Sequence, residues 1–184
     1  MIINVQDLLK KNLKDEVVVF QTDTVWGIGC LLGSKKGVER IYEIKNRESK
    51  KPLAVLCANI EQAKELVKDF NVGSEYAERY WPGALTLIFK KREIVGDYLT
   101  SGFDTVGVRI PNDPTALRIL EQFGPMAVTS LNLSSEPAIL KYEDALKFSD
   151  EVEYLVEGTD LESLSSTVYD CINGKVLRQG DISL

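Results

Sequence analysis

Phe20-Gln21-Thr22-Asp23-Thr24-Val25-Trp26-Gly27-Ile28-Gly29 is the stretch from which the fold is read. It is entered by Val17 to Phe20, a short apolar run rich in β-branched residues that reads as a buried strand rather than a helix. That strand stops at three small polar side chains, Thr22, Asp23 and Thr24, and so delivers polar groups to a cleft. Closely spaced glycines then let backbone approach whatever binds there. Taken alone, Thr-Asp-Thr also reads as a turn, and the rest of the chain has to decide.

Outward from this point, further strand candidates fall at 53–57, 85–89, 106–110, 126–130, 154–156, 166–170 and 175–178, with helix-like segments between them. Asn59 with Gln62 three residues on is a capping-box pattern, followed by Ala63, Leu66, Val67 and Phe70 on one helical face. Asp113-Pro114 opens a helix in cap-then-proline order that ends near Gly124. Another helix starts near Ser74 and must stop before Pro82, so Trp81-Pro82-Gly83 reads as a helix stop with a packed indole. Alternating strands and helices without repeat or linker argue for an α/β or α+β sheet covered by helices, one domain over residues 1–184.

Composition removes several chemistries. There is no histidine, which excludes Ser-His-Asp and Cys-His catalysis and every histidine-ligated metal. Cys30, Cys57 and Cys171 are scattered and odd in number, so they read as reduced thiols rather than a disulfide framework or zinc site. Lys and Arg number 22 against 28 Asp and Glu, a net charge of −6, opposite to the footprint of a nucleic-acid binder. No apolar stretch approaches the ~20 residues that span a bilayer, and the start shows no signal segment, so a soluble, cytoplasmic protein is expected. Neither GxxxxGK[ST] nor GxGxxG occurs. Asp144, Asp150, Glu151 and Glu153 read as a solvated acidic face.

Three constellations carry chemistry. In the helix from about Ser34 to Asn46, Val38, Ile41 and Tyr42 form an apolar stripe that steps on to Lys45. Lys45 either snorkels to water or, with Arg47 and Lys51 close behind, faces a polyanion. From Thr105 to Ile110, period-two alternation puts Val106, Val108 and Ile110 in the core and Thr105, Gly107 and Arg109 on the other face. Arg109 there can grip a carboxylate with two parallel hydrogen bonds, or form a structural ion pair. Ser130 and Asn132 share a side at a strand end, which suits a ligand or a turn cap.

Thr22-Asp23-Thr24, Lys45-Asn46-Arg47, Tyr80-Trp81-Pro82-Gly83-Ala84-Leu85-Thr86, Thr105 to Arg109, Thr129 to Asn132, Ser166 to Asp170 and Arg178-Gln179-Gly180 occur in this order over about residues 17–180. The set resembles the YrdC-like family, the L-threonylcarbamoyl-AMP synthases. The resemblance implies a single twisted, mixed-direction sheet flanked by helices with a large concave cleft. It also implies a nucleotidyltransferase that converts L-threonine, bicarbonate or carbon dioxide, and ATP into L-threonylcarbamoyl-AMP and pyrophosphate for t6A in tRNA. Carried over position by position, ATP falls to Lys45, Arg47, Lys51, Thr105, Asn132 and Arg178, with Lys45 and Arg47 as the catalytic cations. Threonine falls to Thr22, Thr24, Arg109, Ser130 and Ser166. Mg²⁺ is expected to ride on the ATP phosphates. The product is expected to pass to a tRNA threonylcarbamoyltransferase complex, with weak or no direct tRNA binding and no membrane partner. Leu131 and Ser135 depart from the usual alanine and glycine, and Trp26 stands where tyrosine is usual. Alternatives are an RNA-binding module on the concave face and a carbamoyl-adenylate domain of another pathway.

Overall fold

The run at 17–20 is buried completely, and its residues alternate between two cores: Val17 and Val19 join one, Val18 and Phe20 the other. A strand covered on both faces loses the polar alternation of a half-exposed one, which is why this segment is apolar throughout. Each such side chain contributes roughly 1.5–3 kcal/mol on burial.

The computed structural model describes residues 1–46, 51–133 and 135–184. In chain order their elements are β1 (Ile2–Ile3), α1 (Val5–Leu8), β2 (Val18–Gln21), β3 (Trp26–Leu31), α2 (Lys35–Lys45), β4 (Ala54–Leu56), α3 (Ile60–Leu66), α4 (Ser74–Tyr80), β5 (Leu85–Lys90), α5 (Asp97–Thr100), β6 (Thr105–Arg109), α6 (Pro114–Phe123), β7 (Met126–Ser130), α7 (Tyr142–Ala145), β8 (Tyr154–Val156), β9 (Thr167–Asp170) and β10 (Lys175–Arg178). Short 3-10 turns occupy Phe70–Gly73 and Leu146–Phe148.

The strands form one mixed sheet in the order β1-β8-β2-β3-β7-β4-β6-β5-β9-β10. One core collects alternate residues of nearly every strand, including Ile28, Val55, Val108 and Leu87, together with Val38 and Ile41 of α2. On the other face, Leu8 of α1 and Ala116, Ile119 and Leu120 of α6 pack against Phe20, Leu56, Met126 and Val128. The part of that face not so covered is the concave cleft. Its floor is built from small residues in register: Ala54 lies between Val128 of β7 and Gly107 of β6, and Gly107 faces Ile88 of β5. A Cβ at Gly107 would stand 3.1 Å from the Thr86 methyl, so glycine there leaves the space to its neighbour.

The capping signals are realised. Asn59 accepts from the Gln62 N–H at 2.8 Å while Gln62 reaches back to the Ala58 N–H, also at 2.8 Å, one residue earlier than a regular capping box. Asp113 accepts from the Ala116 N–H at 2.9 Å, with Pro114 in the first turn and Gly124 closing the helix. Asn46 ends α2 in the left-handed conformation, φ 50°. Three readings need correction. The glycine-bearing segment Trp26–Leu31, which is not among the expected strands, is β3, paired with β2 and β7. Helix α3 ends at Leu66, so Phe70 belongs to the following 3-10 turn. Glu153 is no solvated acid: its carboxylate accepts from the Val17 N–H at 2.8 Å and pairs with Arg40.

Candidate active site

The cleft, about 290 Å³, is bordered by the turn after β2, the ends of β7 and β6, β5, and the β9–β10 hairpin. Thr22, Thr24, Thr105, Arg109, Ser130, Ser166 and Arg178 all line it. The turn puts Thr22 and Thr24 side by side with hydroxyls 3.0 Å apart, and Thr22 donates onward to the Val25 carbonyl at 2.8 Å. Both are buried, so the turn reading and the cleft reading of this segment hold together.

Arg109 lies at the end of β6 on the face opposite Val106 and Val108, as the alternation requires. It is only 5% exposed. Its Nε donates to the Gly83 carbonyl at 3.0 Å, its Nη1 to Thr24 Oγ1 at 3.0 Å, and its Nη2 to the Asp23 carboxylate. The ion pair weighed against the clamp is therefore present, with Asp23, and it sits in the cleft wall. Burial pulls the guanidinium below its ordinary value, and Asp23 works against that pull. Of five N–H donors on an arginine, three are committed here and two remain.

Across the cleft, Arg178 of the exposed strand β10 is gripped by the chain before β9: Nε donates to the Ser166 carbonyl at 2.9 Å and Nη2 to Ser166 Oγ at 3.2 Å. Ser166 Oγ lies 2.7 Å from Thr86 Oγ1. The hairpin is pinned from outside by the segment beyond it. The Gly180 N–H donates to Thr167 Oγ1 at 2.9 Å, and a Cβ at 180 would stand 2.4 Å from the Ser165 carbonyl oxygen.

Lys45 is not in water, which sets the snorkelling alternative aside. It is 1% exposed. Its ammonium donates to the Ser130 carbonyl and to Asn132 Oδ1, the latter at 2.6 Å, so the structure brings Lys45 together with both ends of the Ser-x-Asn element. Lys45 and Asn132 are not among the residues lining the cleft. Lys51 is exposed beside Pro52, which does line it, and the Lys51 carbonyl accepts from the Tyr42 hydroxyl at 2.6 Å. Arg47 lies outside the described residues.

The departures from the usual pattern have physical accounts. Leu131 is fully buried in the core. Ser135 takes φ 74°, a left-handed conformation that glycine adopts without a Cβ penalty. Trp26 stacks on Tyr142 at 5.5 Å and donates to the Thr159 carbonyl at 3.2 Å. Burial pushes the Cys30 and Cys57 thiols up to about 12, which keeps them protonated and unreactive.

Sequence reasoning missed Asp23, Thr86 and the Gly83 carbonyl. Asp23 stands among the three small polar side chains after the first strand, but nothing local to it names Arg109 as its partner. Thr86 carried a usable signal, a lone hydroxyl inside the apolar strand Leu85-Thr86-Leu87-Ile88-Phe89. The Trp81-Pro82-Gly83 segment is the expected helix stop, its indole donating to the Leu85 carbonyl at 2.7 Å, but it also supplies the backbone acceptor that orients Arg109.

Known proteins resemble the chain over nearly its whole length. A curated protein of Pyrococcus abyssi named threonylcarbamoyl-AMP synthase is 35% identical over 92% of this chain, and the match spans 52% of that protein. One of the same name from Pseudoalteromonas translucida is 33% identical over 89% of the chain and 90% of its own length. The chain thus spans about half the length of the first relative and most of the second. Among solved structures, that of P. abyssi Sua5 complexed with L-threonine superposes with a TM-score of 0.92 at 31% identity, over 98% of this chain and 57% of that one. The model of the Sua5/YciO/YrdC family, whose description reads "Telomere recombination", matches residues 11–180. With that match covering all but the two ends and the cleft built on its motifs, the chain belongs to the Sua5/YciO/YrdC family.

Proposed function

We propose that the chain, acting as one unit over residues 1–184, is an L-threonylcarbamoyl-AMP synthase, a nucleotidyltransferase that joins L-threonine, bicarbonate or carbon dioxide, and ATP with release of pyrophosphate. The observation that carries this reading is the pairing of two arginines across one cleft. Arg109 stands among the hydroxyls of Thr22, Thr24 and Ser130, and Arg178 stands beside Ser166.

In this reading the two free N–H groups of Arg109 hold the threonine carboxylate, and Thr22, Thr24, Ser130 and Ser166 surround the rest of the amino acid. Thr105, Asn132 and Arg178 hold the nucleotide, and Lys45, Arg47 and Lys51 serve its phosphates. The threonine amine adds to the carbon species and becomes a carbamate. A carbamate oxygen then forms a bond to the α-phosphorus as the bond to pyrophosphate breaks. The protein's part is to hold the reactants together and to set cations against the developing phosphoryl charge. Mg²⁺ would arrive on the ATP phosphates and would there offset part of their charge. The product would feed the t6A modification of tRNA through a separate transferase complex, in the cytoplasm, with little direct tRNA binding.

The test is pyrophosphate release by the purified protein, which should require ATP, threonine and bicarbonate together. Serine should serve poorly rather than not at all, since one methyl in a pocket is worth about 1–3 kcal/mol. Equal turnover with every amino acid, or none with threonine, would remove the reading.

A further inference from the structure

Thr86 and Ser166 form a hydroxyl pair in the cleft wall, 2.7 Å apart, with Thr86 7% exposed and Ser166 5% exposed. The pair carries two protons, and only one can lie in the bond between them. Arg178 has no acceptor, so its 3.2 Å contact fixes Ser166 Oγ as the accepting atom there. Among the described residues neither hydroxyl has a further protein acceptor. One proton therefore points into the cleft.

The Thr86 methyl packs into the space that Gly107 leaves, so the Thr86 hydroxyl lies toward Ser166, and the charge on Arg178 decides between the two: the Ser166 O–H, strengthened as a donor by the cation its oxygen accepts from, is given to Thr86 Oγ1. The run Arg178 to Ser166 to Thr86 then polarises in one direction, each donor strengthened by the one behind it, and ends at the Thr86 O–H. Charge favours an anion at this end. Arg109 is neutralised by Asp23, whereas Arg178 has no carboxylate partner among the described residues. Beside the pair the wall is largely apolar, with Gly107, Ile88 and Val168.

We propose that Thr86 is the hydrogen-bond donor of a small-oxyanion subsite, where bicarbonate, or the carbamate oxygen derived from it, is held between Arg109 and Arg178. The identity of the anion rests on the synthase reading; the existence of the subsite does not.

Two measurements test it. In pyrophosphate-release kinetics, Thr86→Val, which keeps the shape and removes the hydroxyl, should raise the KM for bicarbonate at least about tenfold, the worth of a hydrogen bond to a charged group. The KM values for ATP and threonine should stay within about threefold, and Thr86→Ser should recover most of the loss. In a second measurement without turnover, wild type should broaden the ¹³C line of labelled bicarbonate, and Thr86→Val should not. Thr86→Ala gives the same reading if the valine variant fails to fold. An unchanged bicarbonate KM in Thr86→Val, an equal rise for all three substrates, or line broadening that the variant retains overturns the inference. Line broadening lost in Thr86→Val, in a protein that releases no pyrophosphate, supports the subsite and removes the synthase reading instead.

Discussion

Arg109 is walled in by three protein acceptors, one of them a carboxylate, while Arg178 hangs from a single residue on the outermost strand, with no carboxylate near it among the described residues. The contrast assigns each end of the cleft a different way of recognising a ligand. A guanidinium that is neutralised and fixed in plane selects by shape, offering two donors in one orientation. An uncompensated guanidinium at an exposed edge attracts by charge and tolerates more than one anion geometry. On the proposed function, the first end would take the amino acid and the second the polyphosphate.

The most damaging way to probe the contrast is to remove the counter-charge. Asp23→Ala leaves Arg109 charged and buried without a counter-charge, and should cost about 3–5 kcal/mol in urea unfolding. Arg178→Ala, which strands no buried charge, should cost under about 1 kcal/mol in the same assay. Similar costs for the two would break the comparison. Next come the effects on binding. Arg109→Lys should weaken threonine binding about tenfold or more and leave ATP unchanged, since lysine cannot reproduce the fork. Arg178→Ala should do the reverse, and calorimetric titration of each ligand reads both.

A smaller effect calibrates an ion pair outside the cleft. Burial works to raise the Glu153 carboxyl, but the Val17 N–H and Arg40 outweigh it and hold it below the ordinary carboxylate value. A group with a lowered folded value contributes its stability above the unfolded value and loses it as pH falls through the folded one. Glu153→Gln should therefore cost about 1 kcal/mol at neutral pH, with the deficit closing below about pH 4. The smallest effect belongs to Ser135→Gly, which relieves the left-handed φ but adds chain entropy to the unfolded state. The balance is a gain under about 1 kcal/mol in thermal unfolding.

Much of this was legible because the chemistry is local to strands. The alternation Thr105-Gly107-Arg109 against Val106-Val108-Ile110 put Arg109 on the cleft face with no further information, and the Asp113-Pro114 and Asn59 signals placed two helices correctly. What was hidden depended on chain crossing chain. Strand β3 escaped because Gly27 and Gly29 read as room for a ligand's approach, when their bareness serves close packing against Val128. Asp23 escaped because its partner is distant in sequence and meets it only when the turn after β2 folds over the end of β6. Lys45 was placed at the end of a buried stripe, but the stripe cannot say what its ammonium meets, and the Ser130 carbonyl and Asn132 come from a different strand end.

Gly180 carries no side chain and lies past the last strand, where a sequence ordinarily drifts without penalty. Its α-carbon nevertheless rides against the Ser165–Thr167 backbone so closely that even a methyl would press on the Ser165 carbonyl and the Thr167 nitrogen. In a saturation library, this tail position should behave like the interior and return glycine among active clones. The surrounding Gln179 and Asp181 should accept wide replacement. Variants at 180 should be lost through a displaced Ser166 rather than through unfolding, so the tail sets mutational tolerance for a cleft it never enters.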